Sequence, residues 1–156
     1  MSQVQVGQAV PDIELAASNG ETVKLSQFRG KKVVLYFYPK DQTPGCTQEA
    51  CDFRDAHQNF DAADTVIIGV SPDSVKSHQK FIEKQNLPFL LLSDPDKALA
   101  QAFGVWQEKV MYGRKTMGIV RSTFLIDREG KLAKEWRNVK VKGHIAEVLE
   151  AAEALN

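Results

Sequence analysis

Residues 33–51 read VVLYFYPKDQTPGCTQEAC, and they contain both cysteines of the chain. The apolar run at residues 33–38 is typical of a buried strand, which ends at Pro39. A strand that leads through a short loop into a helix places that loop at the carboxyl edge of a sheet, where the first N–H groups of the helix are free to face an anion. Cys46 is therefore favoured as a thiolate, and its placement predicts redox chemistry.

Buried strands alternate with helices on the C-terminal side of this segment. The predicted strands are residues 33–38, 65–70, 89–92, 123–126 and 132–136. The predicted helices are residues 47–60, 74–85, 97–103 and 144–154. Helices separate the first three strands, whereas a turn at residues 127–130 joins the last two as an antiparallel hairpin. The pattern predicts an α/β fold with a mixed central sheet flanked by helices.

The N-terminal part predicts a small β-hairpin. Apolar and polar residues alternate at residues 13–15 and 22–25, and Asn19 followed by Gly20 is a turn signal between them. Ser26 follows as a candidate cap for a short helical turn at residues 27–29.

Length and composition indicate one globular domain spanning residues 1–156, with 43% hydrophobic and 26% charged residues. Twenty basic and twenty acidic side chains give a net charge of zero, so we expect no binding to nucleic acid or to anionic lipid. The N-terminus lacks a basic segment followed by an apolar one, and no apolar run approaches the roughly 20 residues of a membrane span. These features predict a cytoplasmic protein, and the absence of a long apolar surface stripe favours a monomer.

The spacing of the two cysteines has a conformational consequence. Residues five apart on an intact helix have Cα atoms about 8.7 Å apart, on directions that differ by about 140°. A disulfide tolerates at most about 7 Å, so a bond between Cys46 and Cys51 requires the first turns of the helix to unwind. The alternative interpretation makes Cys46 an ordinary buried thiol and Cys51 a small apolar core residue.

The chain resembles a known family at this point. The pattern Pro39-x-x-x-Thr43-x-x-Cys46 is similar to the active-site signature of the peroxiredoxins. The longer match over residues 37–51, together with residues 103–106 and 121–127, resembles the bacterioferritin comigratory protein branch, also called peroxiredoxin Q. The resemblance implies a thioredoxin-like fold, with Cys46 as the peroxidatic cysteine and Cys51 as the resolving cysteine of the same chain.

The resemblance also implies a role for each matched residue. Cys46 attacks the O–O bond of hydrogen peroxide or an organic hydroperoxide, Thr43 hydrogen-bonds the peroxide, and Arg121 binds and polarises it. Pro39 shields the thiolate from water. The resulting sulfenic acid condenses with Cys51 to an intramolecular disulfide, which thioredoxin or a similar dithiol reduces. The family implies neither a cofactor nor a metal.

Other interpretations of these residues remain open on sequence alone. Arg121 at the start of a strand is compatible with a surface charge, and Glu49 in the first helical turn with a capping or dipole partner, or with a group that orients Arg121. His57 could join the two cysteines around a metal only after the helix rearranges. The basic segment at residues 109–121 is interpreted as a solvated loop rather than a nucleic-acid site.

Two other functions compete with a peroxidase. A thioredoxin-type disulfide reductase usually carries Cys-x-x-Cys, and the four residues between Cys46 and Cys51 argue against it. A non-enzymatic redox sensor would use melting of the helix to expose apolar surface to a partner.

Overall fold

The computed structural model describes residues 3–156, apart from the side chain of Met111. The strands are β1 Leu15–Ala17, β2 Thr22–Val23, β3 Lys32–Phe37, β4 Thr65–Ser71, β5 Leu90–Ser93, β6 Trp106–Met111, β7 Arg114–Ile119, β8 Ser122–Ile126 and β9 Leu132–Trp136. The helices are α1 Pro44–Asp55, α2 His57–Ala62, α3 Val75–Gln85, α4 Ala98–Ala102 and α5 His144–Ala154. Across these residues, none of the helices has the length and apolar character needed to cross a membrane.

Seven strands form one mixed sheet in the order β2-β1-β5-β4-β3-β8-β9. Strands β3, β4 and β5 pair in parallel, and β8 lies antiparallel to β3 on its other side. β1 and β2 form the predicted N-terminal hairpin, which adds to the sheet through an antiparallel pairing of β1 with β5. The mixed central sheet and its N-terminal hairpin are therefore confirmed.

Two hydrophobic cores pack against opposite faces of this sheet. Alternate residues of β3 enter different cores, because successive side chains of a strand point to opposite faces. Val33 and Leu35 belong to the core that includes α4, whereas Val34 and Tyr36 belong to the core that includes α1, α3 and α5. Because every residue of β3 is buried, the strand reads as a continuous apolar run rather than an alternating one.

The structure corrects the sequence prediction at three places. The single helix predicted over residues 47–60 starts earlier, at Pro44, and is two helices that meet at Ala56. Ser26 lies within a 3₁₀ helix, Leu25–Phe28, and its hydroxyl donates to Asp12, so it is not the cap.

The segment interpreted as a loop over residues 109–121 contains most of a β-hairpin. β6 and β7 pair only with each other, through a turn at Tyr112 and Gly113 where both residues have positive φ. This geometry is typical of tight hairpins. The sequence does not reveal this hairpin because the first four residues of β7, residues 114–117, are all exposed, so β7 shows no alternation of buried and exposed residues.

Candidate active site

The loop after β3 leads directly into α1. Thr43 is the N-cap of this helix and Pro44 its first residue, a position that suits proline because the N–H it lacks would have no partner within the helix. The first backbone bond runs from the Thr47 N–H to the Thr43 carbonyl, at 2.8 Å. The N–H groups of Gly45 and Cys46 therefore precede the first intrahelical bond and have no acceptor within α1.

Cys46 is the third residue of α1, and it lies against Arg121. The thiol is 2% exposed, and Arg121 Nη2 donates to its sulfur at 3.3 Å. Strand pairing explains the contact, because β8 begins opposite the end of β3, where Phe37 pairs with Ser122. Arg121, which immediately precedes Ser122, is thereby brought beside the loop that follows β3.

Glu49 holds the other side of the Arg121 guanidinium. Arg121 Nη1 donates to Glu49 Oε1 at 2.6 Å, and the glutamate side chain is completely buried. Burial raises the pKa of Glu49 from 4.5 to about 7, although Arg121 opposes the shift. Burial alone would lower the pKa of Arg121, but Glu49 and Cys46 raise it above its ordinary value. Arg121 is thus a permanent cation between two acidic groups.

Burial of Glu49 makes the stability of the protein depend on pH. Because the folded-state pKa of about 7 lies above the ordinary 4.5, the stabilising contribution is complete below pH 4.5 and is lost as the pH rises through 7. We expect the free energy of unfolding of the wild type to fall relative to Glu49→Gln by about 3 kcal/mol between acidic and alkaline pH. Urea unfolding at several pH values measures this difference.

The comparison with Glu49→Gln is needed because His144 acts in the opposite direction. Burial lowers the pKa of His144, so its contribution to stability grows as the pH rises through its titration. His144 is the same in both proteins and cancels in the difference. Parallel stability curves for the two proteins would contradict the raised pKa of Glu49.

Thr43 and Pro39 lie on the loop that leads from β3 into α1. The Thr43 hydroxyl donates to the Lys40 carbonyl at 2.9 Å, which leaves its oxygen lone pairs as acceptors. Pro39 and Arg121 line an open cleft of about 590 Å³. The other lining residues are Gln107, Lys109, Val110, Val120, Asn138 and Val139. The β6–β7 hairpin therefore forms one wall of the approach to Arg121.

Cys51 is on the same helix but faces a different neighbour. Its side chain is half-buried, and its sulfur lies 3.4 Å from Gln85 Oε1, at the C-terminal end of α3. Both cysteines are free thiols, and α1 is continuous from one to the other. Cys46 thus contacts Arg121 and Cys51 contacts α3, and a bond between them requires α1 to change conformation.

The predicted site residues fall into three groups in the structure. Cys46 and Arg121 are in direct contact, Pro39 and Thr43 belong to the loop that precedes α1, and Cys51 points elsewhere. The contact of Glu49 with Arg121 was only one of several interpretations of the sequence. Its spacing three residues after Cys46, which places both on one face of a helix, was the available signal.

Potential metal ligands were also considered at the sequence level. Among residues 3–156, the side chains that lie close enough together to bind one metal ion are Asp41, Asp73 and His78, whose potential ligand atoms are within 4.8 Å of one another. Each of these side chains is hydrogen-bonded to neighbouring protein groups. The set of Cys46, Cys51 and His57 is not assembled.

Several known proteins are similar to this chain in sequence, and several solved structures are similar to it in fold. A model of the AhpC/TSA family matches residues 6–135. Peroxiredoxin Bcp of Bacillus subtilis (strain 168) is 63% identical over 147 residues, which cover 94% of each chain. A putative peroxiredoxin bcp of Coxiella burnetii is 51% identical over 146 residues, covering 94% of this chain and 97% of that protein.

Solved structures of peroxiredoxins have the same fold as this chain. The bacterioferritin comigratory protein of Xanthomonas campestris has been studied for alkyl peroxide reduction through trapped-intermediate and ligand-complex structures. It superposes with a TM-score of 0.91 at 47% identity, covering 96% of this chain and 98% of that one. A PrxQ variant of Xylella fastidiosa gives a TM-score of 0.92 at 40% identity, covering 99% and 98%. The thioredoxin-like fold is confirmed, and the chain belongs to the AhpC/TSA family as a peroxiredoxin, a thiol-dependent peroxidase.

Proposed function

We propose that Cys46 is the nucleophile that reduces hydrogen peroxide and organic hydroperoxides. The contact of Arg121 Nη2 with the Cys46 sulfur carries this assignment, because it places a cation where a thiolate needs stabilisation. The sulfur attacks one peroxide oxygen, the O–O bond breaks, and its electron pair goes to the departing oxygen. That oxygen takes up a proton and leaves as water or an alcohol, and Cys46 becomes a sulfenic acid.

Stabilisation of the departing oxygen is the main task of the surrounding groups. Arg121 and the free N–H groups of Gly45 and Cys46 are donors for the negative charge that develops there. The Thr43 oxygen, whose hydrogen is used by Lys40, accepts a hydrogen bond from the peroxide. Pro39 covers the approach to the sulfur and limits access of water. In this proposal Cys46 reacts as the thiolate beside Arg121, so no side chain has to act as a general base.

Because Gly45 has no side chain, the Arg121 guanidinium can lie close to the backbone of α1 at this position. A Cβ atom added at Gly45 would lie 3.2 Å from Arg121 Nη2, so Gly45→Ala is expected to displace the guanidinium from Cys46. We expect about a tenfold lower rate constant for oxidation of Cys46 by hydrogen peroxide, since misplacement by about 1 Å costs up to 10²-fold. Rapid-quench mass spectrometry measures this rate. The exposed Gln48→Ala in the same helix is the control, and equal rates for all three proteins would refute the effect.

Resolution of the sulfenic acid is proposed to involve Cys51. Once α1 unwinds, the Cys51 thiol attacks the Cys46 sulfur, a disulfide forms, and the sulfenic oxygen leaves as water. Both cysteines lie on one helix and contact different neighbours, which supports a conformational change at every turnover. The oxidised protein then needs two electrons from an external dithiol.

We propose thioredoxin as that dithiol, with the cycle serving antioxidant defence in the cytoplasm. Thioredoxin reduces disulfides through a mixed-disulfide step and maintains the reduced thiols typical of that compartment. We further propose that the protein acts as a monomer of one domain. Both cysteines, Arg121 and Glu49 come from the same chain, which supports a monomer.

Intact mass after a single oxidation tests this cycle. Reduced protein is mixed with one equivalent of hydrogen peroxide, quenched within seconds under non-reducing conditions, and then treated with thioredoxin. Loss of two hydrogens, reversed by thioredoxin, is the expected result. An unmodified mass would exclude the peroxidase cycle and favour a disulfide reductase, and oxidation without reversal would exclude thioredoxin as the reductant.

A further inference from the structure

A second group of buried polar side chains packs against the loop that carries Pro39 and Thr43. Asp41, in the middle of this loop, is almost completely buried. The Tyr38 hydroxyl donates to Asp41 Oδ1 at 2.5 Å, and the Ser77 hydroxyl donates to Oδ2 at 2.8 Å. His78 Nδ1 lies 2.7 Å from the same Oδ2. Both carboxylate oxygens are therefore satisfied by groups of the protein.

The neighbours of His78 decide where its protons lie. His78 is completely buried, and its Nε2 faces the Leu92 carbonyl at 2.9 Å. A carbonyl can only accept, so Nε2 must carry a hydrogen. Nδ1 faces the Asp41 carboxyl, so one further proton lies between Asp41 and His78. This proton joins the two side chains in a buried hydrogen bond of 2.7 Å, whichever of the two carries it.

Asp41 also ties the loop to the sheet through its backbone. Its N–H donates to Asp73 Oδ2 at 2.8 Å, and the Ser71 hydroxyl at the end of β4 donates to the same oxygen at 2.7 Å. Together with His78 on α3 and its bond to Leu92 on β5, these contacts attach the loop to three different elements.

Asp41 lies in the sequence between Pro39 and Thr43, two residues of the proposed active site. Pro39 precedes Asp41 by two positions and Thr43 follows it by two. The intervening Gln42 has a φ of +62°, a left-handed conformation that is uncommon for a residue with a side chain. This turn directs Thr43 back toward Lys40, to whose carbonyl it donates. The position of Thr43 therefore depends on the point at which Asp41 is held.

We propose that Asp41 and His78 are positioning residues for the peroxide step, which hold Pro39 and Thr43 in place while α1 opens and recloses. The inference rests on the proposed function of this loop. It distinguishes the loop at residues 39–43, which stays attached, from α1, which unwinds. Neither side chain touches the peroxide.

Two replacements of Asp41 distinguish positioning from charge. Asparagine at this position can accept from Tyr38 and donate an amide hydrogen to His78 Nδ1, so Asp41→Asn retains these contacts without a carboxyl group. Asp41→Ala removes every one of these side-chain bonds. We expect oxidation of Cys46 by hydrogen peroxide to be at least tenfold slower in Asp41→Ala, and within about threefold of wild type in Asp41→Asn. The later rate of disulfide formation should not be slower in either variant.

Leu132→Ala is the matched control for lost stability. Leu132 is buried in the opposite core, on β9, and its truncation is expected to lower the melting temperature without slowing oxidation of Cys46. Rapid-quench mass spectrometry on all four proteins gives both rate constants, and thermal unfolding gives their stabilities. A wild-type rate in Asp41→Ala would overturn the proposal, and so would an equal loss of rate in Asp41→Asn and Asp41→Ala.

The hydrogen on His78 Nε2 is observable independently. In ¹⁵N-labelled protein, we expect Nε2 of His78 to carry a hydrogen in the wild type and in Asp41→Asn, because the Leu92 carbonyl accepts from it in both. A wild-type Nε2 without a hydrogen would overturn the attachment of the loop through His78 to β5. Failure of wild-type Cys46 to react with peroxide would instead disprove the proposed function, so the two hypotheses can fail separately.

Discussion

Replacement of Arg121 by methionine is expected to lower the second-order rate constant for oxidation of Cys46 by hydrogen peroxide by about 10²- to 10³-fold. Methionine keeps the length of the side chain but removes the donor 3.3 Å from the Cys46 sulfur. It also removes the cation that stabilises the departing oxygen. The protein is first fully reduced and freed of reductant. Stopped-flow or rapid-quench measurement of its first oxidation by hydrogen peroxide then gives this constant directly.

Loss of Arg121 also leaves Glu49 without its partner. Because Glu49 is fully buried, we expect it to become protonated in Arg121→Met, so that the fold is retained at neutral pH. Arg128→Met is the control, since Arg128 also pairs with a carboxylate, that of Asp64, but follows the opposite end of β8. The control should react at the wild-type rate. An unchanged rate in Arg121→Met would remove Arg121 from the mechanism.

Replacement of Cys51 by serine is expected to abolish thioredoxin-dependent turnover while leaving the first oxidation at its wild-type rate. Serine preserves the size and hydrogen-bonding capacity of the side chain near Gln85, so the reduced structure should be unchanged. Without a second thiol, the Cys46 sulfenic acid persists and is oxidised further to the sulfinic acid. Intact mass after one equivalent of peroxide should rise by one oxygen, and by two with excess peroxide.

Cys46→Ser provides the matched comparison for this experiment. It retains Cys51 but lacks the proposed nucleophile, so its mass should not change with one equivalent of peroxide. If Cys51→Ser resisted oxidation and Cys46→Ser were oxidised, the roles of the two cysteines would have to be exchanged. If it still turned over with thioredoxin, resolution by Cys51 would be excluded.

Much of the fold could be predicted because the strand pattern reflects burial. The central strand β3 is buried on both faces, which makes its apolar run visible without any knowledge of its neighbours. The hairpin of β6 and β7 lies outside the main sheet and buries little, so its sequence shows no such pattern. The break at Ala56 is also absent from the pattern, because helical periodicity continues through it.

The part of the site formed by residues close together in the sequence could be predicted. Pro39, Thr43 and Cys46 lie on one loop and helix start, so the placement of Cys46 indicated redox chemistry, and the family resemblance then implied roles for Pro39 and Thr43. Arg121 joins them through the pairing of β3 with β8, across 75 positions from Cys46, and only the family resemblance pointed to it beforehand. The burial of Glu49 depends on tertiary packing, so its raised pKa was not predictable from composition or spacing.

The weak start of α1 has an evolutionary consequence. Thr43 makes no side-chain bond to the helix, and the described first turn contains no acidic residue, although each of these features commonly stabilises a helix by up to about 1 kcal/mol. A better-capped helix would open less often and leave the sulfenic acid exposed to further peroxide for longer. If α1 opens in each cycle as proposed, we expect substitutions that raise heat resistance without slowing turnover to lie in the sheet and the other helices rather than at the start of α1.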